Sequence, residues 1–123
     1  MIKHFQRTLE KKAKQFTKVV KSGRTHLQDA SPITLGQEFE GYAEIVSKHY
    51  DLINFSQKHL AELGIGGTAV GTGLNTHIKY RSLMAKNLSK VTGLKLKPTR
   101  NYFEAMQSMQ PFMEVSSAIN NFA

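Results

Sequence analysis

Thr34-Leu35-Gly36-Gln37-Glu38-Phe39-Glu40-Gly41-Tyr42-Ala43-Glu44-Ile45-Val46 opens the stretch that decides the fold, and the run continues to Leu63 without a proline. Phe39, Tyr42, Ala43, Val46, Tyr50, Ile53, Leu60 and Leu63 recur at helical spacing and make a broad apolar surface. Thr34, with Gln37 three residues on, forms a capping box at its start. A helix is therefore predicted over 35–63, with Gly36 and Gly41 the weak points within it. At 1.5 Å per residue such a helix is about 43 Å long, more than the roughly 30 Å diameter of a small domain. A long apolar helix needs partners along its whole length. The expectation is an elongated bundle completed by further chain or by partner subunits.

The flanking sequence continues the all-α pattern. Ile2, Phe5, Leu9, Ala13, Phe16, Val19 and Val20 step by three or four, which predicts a helix over 2–22 stopped by Gly23. Residues 24–33 read as a polar connection, with Pro32 disfavouring helix at Ser31. Residues 64–76 are a glycine-rich loop, and Asn75 or Thr76 can cap a third helix over 77–92 that ends at Gly93. Residues 94–99 look extended because of Pro98. A fourth helix is predicted over 101–122, with Phe103, Met106, Met109, Phe112, Met113 and Ile119 inward and a kink or restart at Pro111.

The chain has 123 residues, 17 Lys+Arg against 9 Asp+Glu, and a formal charge of +8, about one domain's worth of chain. No apolar run approaches the ~20 residues of a membrane span. The Met1-Ile2-Lys3-His4-Phe5 start lacks the pattern of a secretory signal. With no cysteine, there is no disulfide, thiolate metal site or cysteine nucleophile, which fits a reducing cytoplasmic compartment. The lysines at 11, 12, 14, 18 and 21, and the cluster Lys95, Lys97 and Arg100, are not interleaved with aromatics as stacking platforms would be. They read as solvated faces, and neither a nucleic-acid nor a membrane partner is expected.

The chemistry-bearing residues are few. Gly71-Thr72-Gly73-Leu74-Asn75-Thr76 matches a dinucleotide loop only in part and follows a helix, where that motif needs a strand. It reads as a tight reversal, or as a loop whose amides and Thr hydroxyls shape an anion site. The five histidines show no metal-ligand spacing with carboxylates, and no nucleophile elbow is present. Gly23-Arg24-Thr25-His26-Leu27-Gln28-Asp29-Ala30 is different, because it crowds donors, acceptors and a group that titrates near neutrality into a non-helical connection. His26 is the catalytic candidate there, set against a purely hydrogen-bonding or capping role.

That segment, with Thr34-Leu35-Gly36-Gln37-Glu38-Phe39 after it, resembles a signature region of the fumarase/aspartase superfamily. Gly66-Gly67-Thr68-Ala69-Val70-Gly71-Thr72-Gly73-Leu74-Asn75-Thr76 is similar to the glycine-rich signature of the same family, and Phe103-Glu104-Ala105 and Val115-Ser116-Ser117-Ala118-Ile119 to a later helix. Within the superfamily the chain is most similar to the class II fumarate hydratases. The resemblance implies part of a central domain of long helices that associates as a homotetramer. It implies reversible hydration of fumarate to L-malate, a dicarboxylate substrate, and no metal or organic cofactor. By residue match, Thr25 would bind a substrate carboxylate, His26 would orient the leaving or attacking water, and Gln28 stands in the same motif.

The family's Ser-Ser-Asn substrate region and its Gly-Ser-Ser-x-Met-Pro-x-Lys-x-Asn catalytic loop do not occur in these residues. The chain is thus expected to be a central piece of a longer lyase, self-associating and inactive alone. The parent would be cytoplasmic, or of the mitochondrial matrix if eukaryotic. An aspartase-type ammonia-lyase piece and a non-catalytic helical interaction module are the alternatives.

Overall fold

The computed structural model describes residues 1–123, and these divide into two units: Met1–Leu52 with Phe122, and Ile53–Asn121 with Ala123. In the first unit, helix α1 (Ile2–Gln15) leads into a hairpin of strands β1 (Val20–Thr25) and β2 (Gln28–Thr34), which leads into helix α2 (Leu35–Leu60). Leu9, Ala43 and Val46 are buried together, with Ile2, Phe39 and Phe122 packed on them. The rings of Phe16 and Phe39 lie 5.5 Å apart.

α1 is shorter than its apolar spacing predicts, because residues 16–22 do other work. The Phe16 carbonyl accepts from the amides of Val19 and Gly36, and Thr17 Oγ1 hydrogen-bonds the Ala13 and Lys14 carbonyls. That local bonding competes with helix continuation. Val20 then pairs with Thr34, Lys21 with Ile33 and Ser22 with Pro32, and the β-branched Val and Ile suit the ladder. The predicted polar connection is therefore mostly strand. Gly23 does not stop a helix. It lies at an irregularity in β1, where a Cβ would fall 2.8 Å from the Ser31 carbonyl oxygen.

α2 starts as its sequence predicts. The Thr34 amide donates to Gln37 Oε1 at 2.9 Å and the Gln37 amide to Thr34 Oγ1 at 3.2 Å. The helix runs 26 residues, about 39 Å, and passes from the first unit into the second. It ends three residues before the predicted Leu63. Strand β3 (Glu62–Leu63) begins there and pairs in parallel with β4 (Lys97–Pro98).

In the second unit, α3 (Tyr80–Thr92) begins later than predicted, and neither Asn75 nor Thr76 caps it. Thr76 Oγ1 instead donates back to the Gly73 carbonyl, and Asn75 takes a positive φ within the loop. Gly93 closes α3 in the left-handed region, as predicted. The fourth helix is two helices, α4 (Tyr102–Ala105) and α5 (Gln110–Phe122). Asn101 Oδ1 caps the first, accepting from the Phe103 and Glu104 amides. Pro111 stands in the first turn of α5, where no amide hydrogen is needed, so the expected restart occurs there.

The architecture is helical, with two small two-stranded sheets that the all-α reading did not contain. Phe103, Met106, Met109, Phe112, Met113 and Ile119 are all exposed, Met113 to 68 %, which contradicts their predicted inward placement; Ala118 is the buried residue of α5. Tyr42 is likewise 47 % exposed, whereas its neighbour Val46 is buried and needs no further cover.

Candidate functional site

The three residues singled out in the sequence stand together at the tip of the β1–β2 hairpin. Thr25 pairs with Gln28, leaving His26 and Leu27 as the two-residue turn. Both central residues have positive φ, 49° at His26 and 61° at Leu27, the signature of a type I′ turn. Such turns favour Asn and Gly. Histidine tolerates the left-handed region better than most residues, and leucine does not. The left-handed conformation costs about 1–2 kcal/mol for an L-residue, and Leu27 recovers nothing by packing, since it is 91 % exposed. Strain of this kind, held in an exposed turn, is a mark of functional positions.

The hairpin is tied down along its length. Arg24 Nε lies 3.4 Å from Asp29 Oδ1 across the strands. At the base, Lys21 Nζ donates to Glu38 Oε2 on α2 at 2.8 Å, and the Tyr42 hydroxyl donates to the other oxygen. The hydrogen bond from Lys21 above all, helped by its charge and the Tyr42 contact, holds the Glu38 carboxyl below its usual range, although burial pushes the other way. At the tip, Thr25, His26 and Gln28 are exposed, and no side-chain hydrogen bond within the chain engages them. Thr25 offers a hydroxyl, His26 an imidazole able to hold or pass a proton, and Gln28 an amide. The tip can thus donate to a carboxylate and orient a water, and it needs a second wall before either happens away from solvent.

The glycine-rich loop forms a separate constellation in the second unit. Gly66, Thr68, Gly71, Gly73 and Asn75 all have positive φ. Gly71 is demanded twice over, since a Cβ there would also fall 2.9 Å from the Phe103 amide nitrogen. The loop's amides turn inward: Gly71 and Gly73 donate to the Gly67 carbonyl and Thr76 to that of Gly73. They do not form the amide cradle considered from sequence. Arg81 organises the loop instead. Its Nε donates to the Gly66 carbonyl at 3.1 Å, its Nη2 to that of Gly71 at 2.9 Å, and its guanidinium lies 3.8 Å over the Tyr102 ring. Sequence reasoning missed Arg81 because its partners lie 10 and 15 residues upstream, at no helical or strand period. It also missed the hydrogen bond between His59 Nδ1 and Glu114 Oε2 at 2.6 Å, which spans 55 residues. That contact, followed by the Gln110 amide, lowers the Glu114 pKa.

A family model described as "Lyase" matches residues 1–123. The chain is 45 % identical over 119 residues to the class II fumarate hydratase of Halalkalibacterium halodurans, an alignment covering 97 % of this chain and 26 % of that protein. It is 46 % identical over 112 residues to the aspartate ammonia-lyase of Helicobacter pylori, covering 91 % and 24 % of the two. The crystal structure of the recombinant class II fumarase from Schistosoma mansoni superposes with a TM-score of 0.95 at 31 % identity, over 98 % of this chain and 28 % of that one. The chain spans about a quarter of the length of the curated relatives it matches.

Proposed function

Because this chain belongs to the lyase family, we propose that residues 1–123 form part of the central helical domain of an enzyme that reversibly hydrates fumarate to L-malate. In this reading the Thr25 hydroxyl donates to one substrate carboxylate. His26 holds the water that attacks during hydration and leaves during dehydration, and Gln28 adds a polar contact. In the dehydration direction, a base removes the carbon-bound proton beside one carboxylate and gives an aci-carboxylate dianion. The carbon–oxygen bond to the hydroxyl then breaks as that group takes a proton and departs as water. Donors fixed around the developing dianion in a dry pocket supply most of the acceleration.

The observation that supports these roles is the strained His26-Leu27 turn, which carries Thr25, His26 and Gln28 with their hydrogen-bonding capacity free. The base and the second carboxylate clamp are assigned to polypeptide outside these residues, so the 123 residues do not turn over by themselves. The site is completed by association of copies of the enzyme as a homotetramer. Exposed apolar side chains such as Tyr42, Ile45, Phe112 and Met113 fit that association. No cofactor or metal enters this scheme, and the compartment is the cytoplasm, or the mitochondrial matrix for a eukaryotic parent.

The test is a chimera in which residues 1–123 replace the matching quarter of the Halalkalibacterium halodurans enzyme. Fumarate hydration, followed by loss of ultraviolet absorbance, is the expected result. His26→Ala should lower it by about 100-fold or more, the scale of lost proton handling. A His26→Ala chimera as active as its parent would refute the assignment. The similarity to an aspartate ammonia-lyase supports a second reading, and a chimera that deaminates aspartate without hydrating fumarate would establish it.

A further inference from the structure

Beside the glycine loop, Thr72, Gly73, Thr76, His77, Ile78 and Arg81 line a cleft of about 250 Å³ to which the reading above gives no role. We propose that this cleft is a binding site for a small oxyanion, a carboxylate or phosphate group carried by a small molecule.

Charge is the first reason. Arg81 is half-buried, and the position of its guanidinium is set by two carbonyls and the Tyr102 ring. The ion pairs of the chain are Lys21–Glu38, Arg24–Asp29, Lys48–Glu44 and Lys97–Glu62, Glu114 is held by His59, and none of these contacts includes Arg81. No acidic residue lines the cleft. A half-buried cation without a counter-charge is unfavourable, and an anion in the cleft supplies the missing charge.

Donor geometry is the second reason. Arginine has five N–H donors, and the two loop carbonyls engage one on Nε and one on Nη2. The remaining donors of the planar fork match the two oxygens of a carboxylate or two of a phosphate. The Thr72 oxygen accepts from the Leu74 amide, which leaves its hydroxyl hydrogen available. His77 Nδ1 accepts from the Lys79 amide at 3.2 Å, which puts the ring proton of the neutral imidazole on Nε2 as a further donor. Gly73 permits the arrangement, because a Cβ there would lie 2.4 Å from Arg81 Nη2.

Size sets the ligand class. The volume lies below the ~300–1,000 Å³ of pockets for drug-sized ligands, and the loop's inward-turned amides do not offer a nucleotide its phosphate cradle. The fit is to a small carboxylate or phosphate.

The experiment is a titration of the 123-residue chain with inorganic phosphate and, separately, with succinate, read by heteronuclear NMR at constant ionic strength against sodium chloride. Saturable shifts of the Thr72, His77 and Arg81 resonances are expected with at least one probe. A response to phosphate alone assigns a phosphate-bearing ligand, and one to succinate alone a carboxylate. Arg81→Lys should raise Kd at least tenfold. Since that change also loosens the loop, a Thr72→Val/His77→Phe double variant, which keeps every Arg81 contact, should raise it by a comparable factor. The proposal is overturned if neither probe shifts these resonances beyond chloride, or if the double variant binds as tightly as the parent.

Discussion

Substituting alanine at Gly41 and at Gly36, five residues apart on α2, makes the same chemical change in two environments and should move stability in opposite directions. At Gly41 a Cβ meets nothing within 4 Å, so the variant gains the ordinary helix preference of alanine over glycine, about 0.8–1.0 kcal/mol. At Gly36 a Cβ would lie 2.6 Å from the Ala13 carbonyl oxygen and 2.8 Å from Thr17 Cα, both backbone atoms. Reaching ordinary contact requires the end of α1 to retreat by about 0.8 Å, a shift of the overpacking kind. The retreat lengthens the 3.1 Å hydrogen bond from the Gly36 amide to the Phe16 carbonyl and loosens the Phe16–Phe39 contact. Overpacking and the weakened bond together cost about 2–3 kcal/mol. The two variants should therefore differ by about 3–4 kcal/mol in urea denaturation followed by helical circular dichroism. In melting temperature, Gly41→Ala should rise by about 3–5 °C and Gly36→Ala fall by about 8–12 °C. A Gly36→Ala chain as stable as its parent would refute the close approach of α1 and α2 and the account of why α1 ends at Gln15.

Leu27→Gly should stabilise the hairpin by about 0.5–1 kcal/mol, the left-handed penalty relieved less the entropy glycine adds to the unfolded chain, and a melting curve shifted downward would contradict the strained turn. Tyr102 is buried with no hydrogen-bond partner for its hydroxyl, so Tyr102→Phe should be neutral or stabilising by up to about 1 kcal/mol, measured as a urea midpoint. The carboxyls of Glu38, Glu62 and Glu114 are each lowered from 4.5, chiefly by their hydrogen bonds to Lys21, Lys97 and His59 respectively. Groups whose folded pKa is depressed contribute stability that is present above the unfolded value and lost as pH falls through the folded one. The urea midpoint should therefore drop on acidification below pH 4.5, and the drop should shrink in Glu62→Gln; an unchanged drop would remove the Lys97 pair from the account.

The legible parts of the fold have causes lying within a few residues. The Thr34–Gln37 box, the left-handed Gly93 and the restart at Pro111 each follow from one side chain acting on its own turn. Phe16, Val19 and Val20 keep the helical period, yet the turn bonding at residues 16 and 17 ends the helix and pairing of residues 20–22 with 32–34 takes those three into strand. The parallel contact of Glu62–Leu63 with Lys97–Pro98 bridges 35 residues and leaves no periodic trace. At the candidate site, Thr25, His26 and Gln28 were legible by residue type and by their resemblance to a family signature. Their conformation was not, because His26-Leu27 lacks the Asn-Gly composition that announces a type I′ turn.

The sequence by itself determined the long α2, its cap, the glycine-rich reversal, the chemistry gathered at residues 23–30 and the kinship with fumarases and aspartases. Only the tertiary structure decided where α1 stops, that residues 20–34 form a hairpin, which apolar side chains are covered and that Arg81 governs the loop. The physical reason is one of scale and range. Helix propensities differ by less than about 1 kcal/mol per residue, so a ladder or a tethered guanidinium formed with distant residues outweighs them, and such partners are set by the path of the chain.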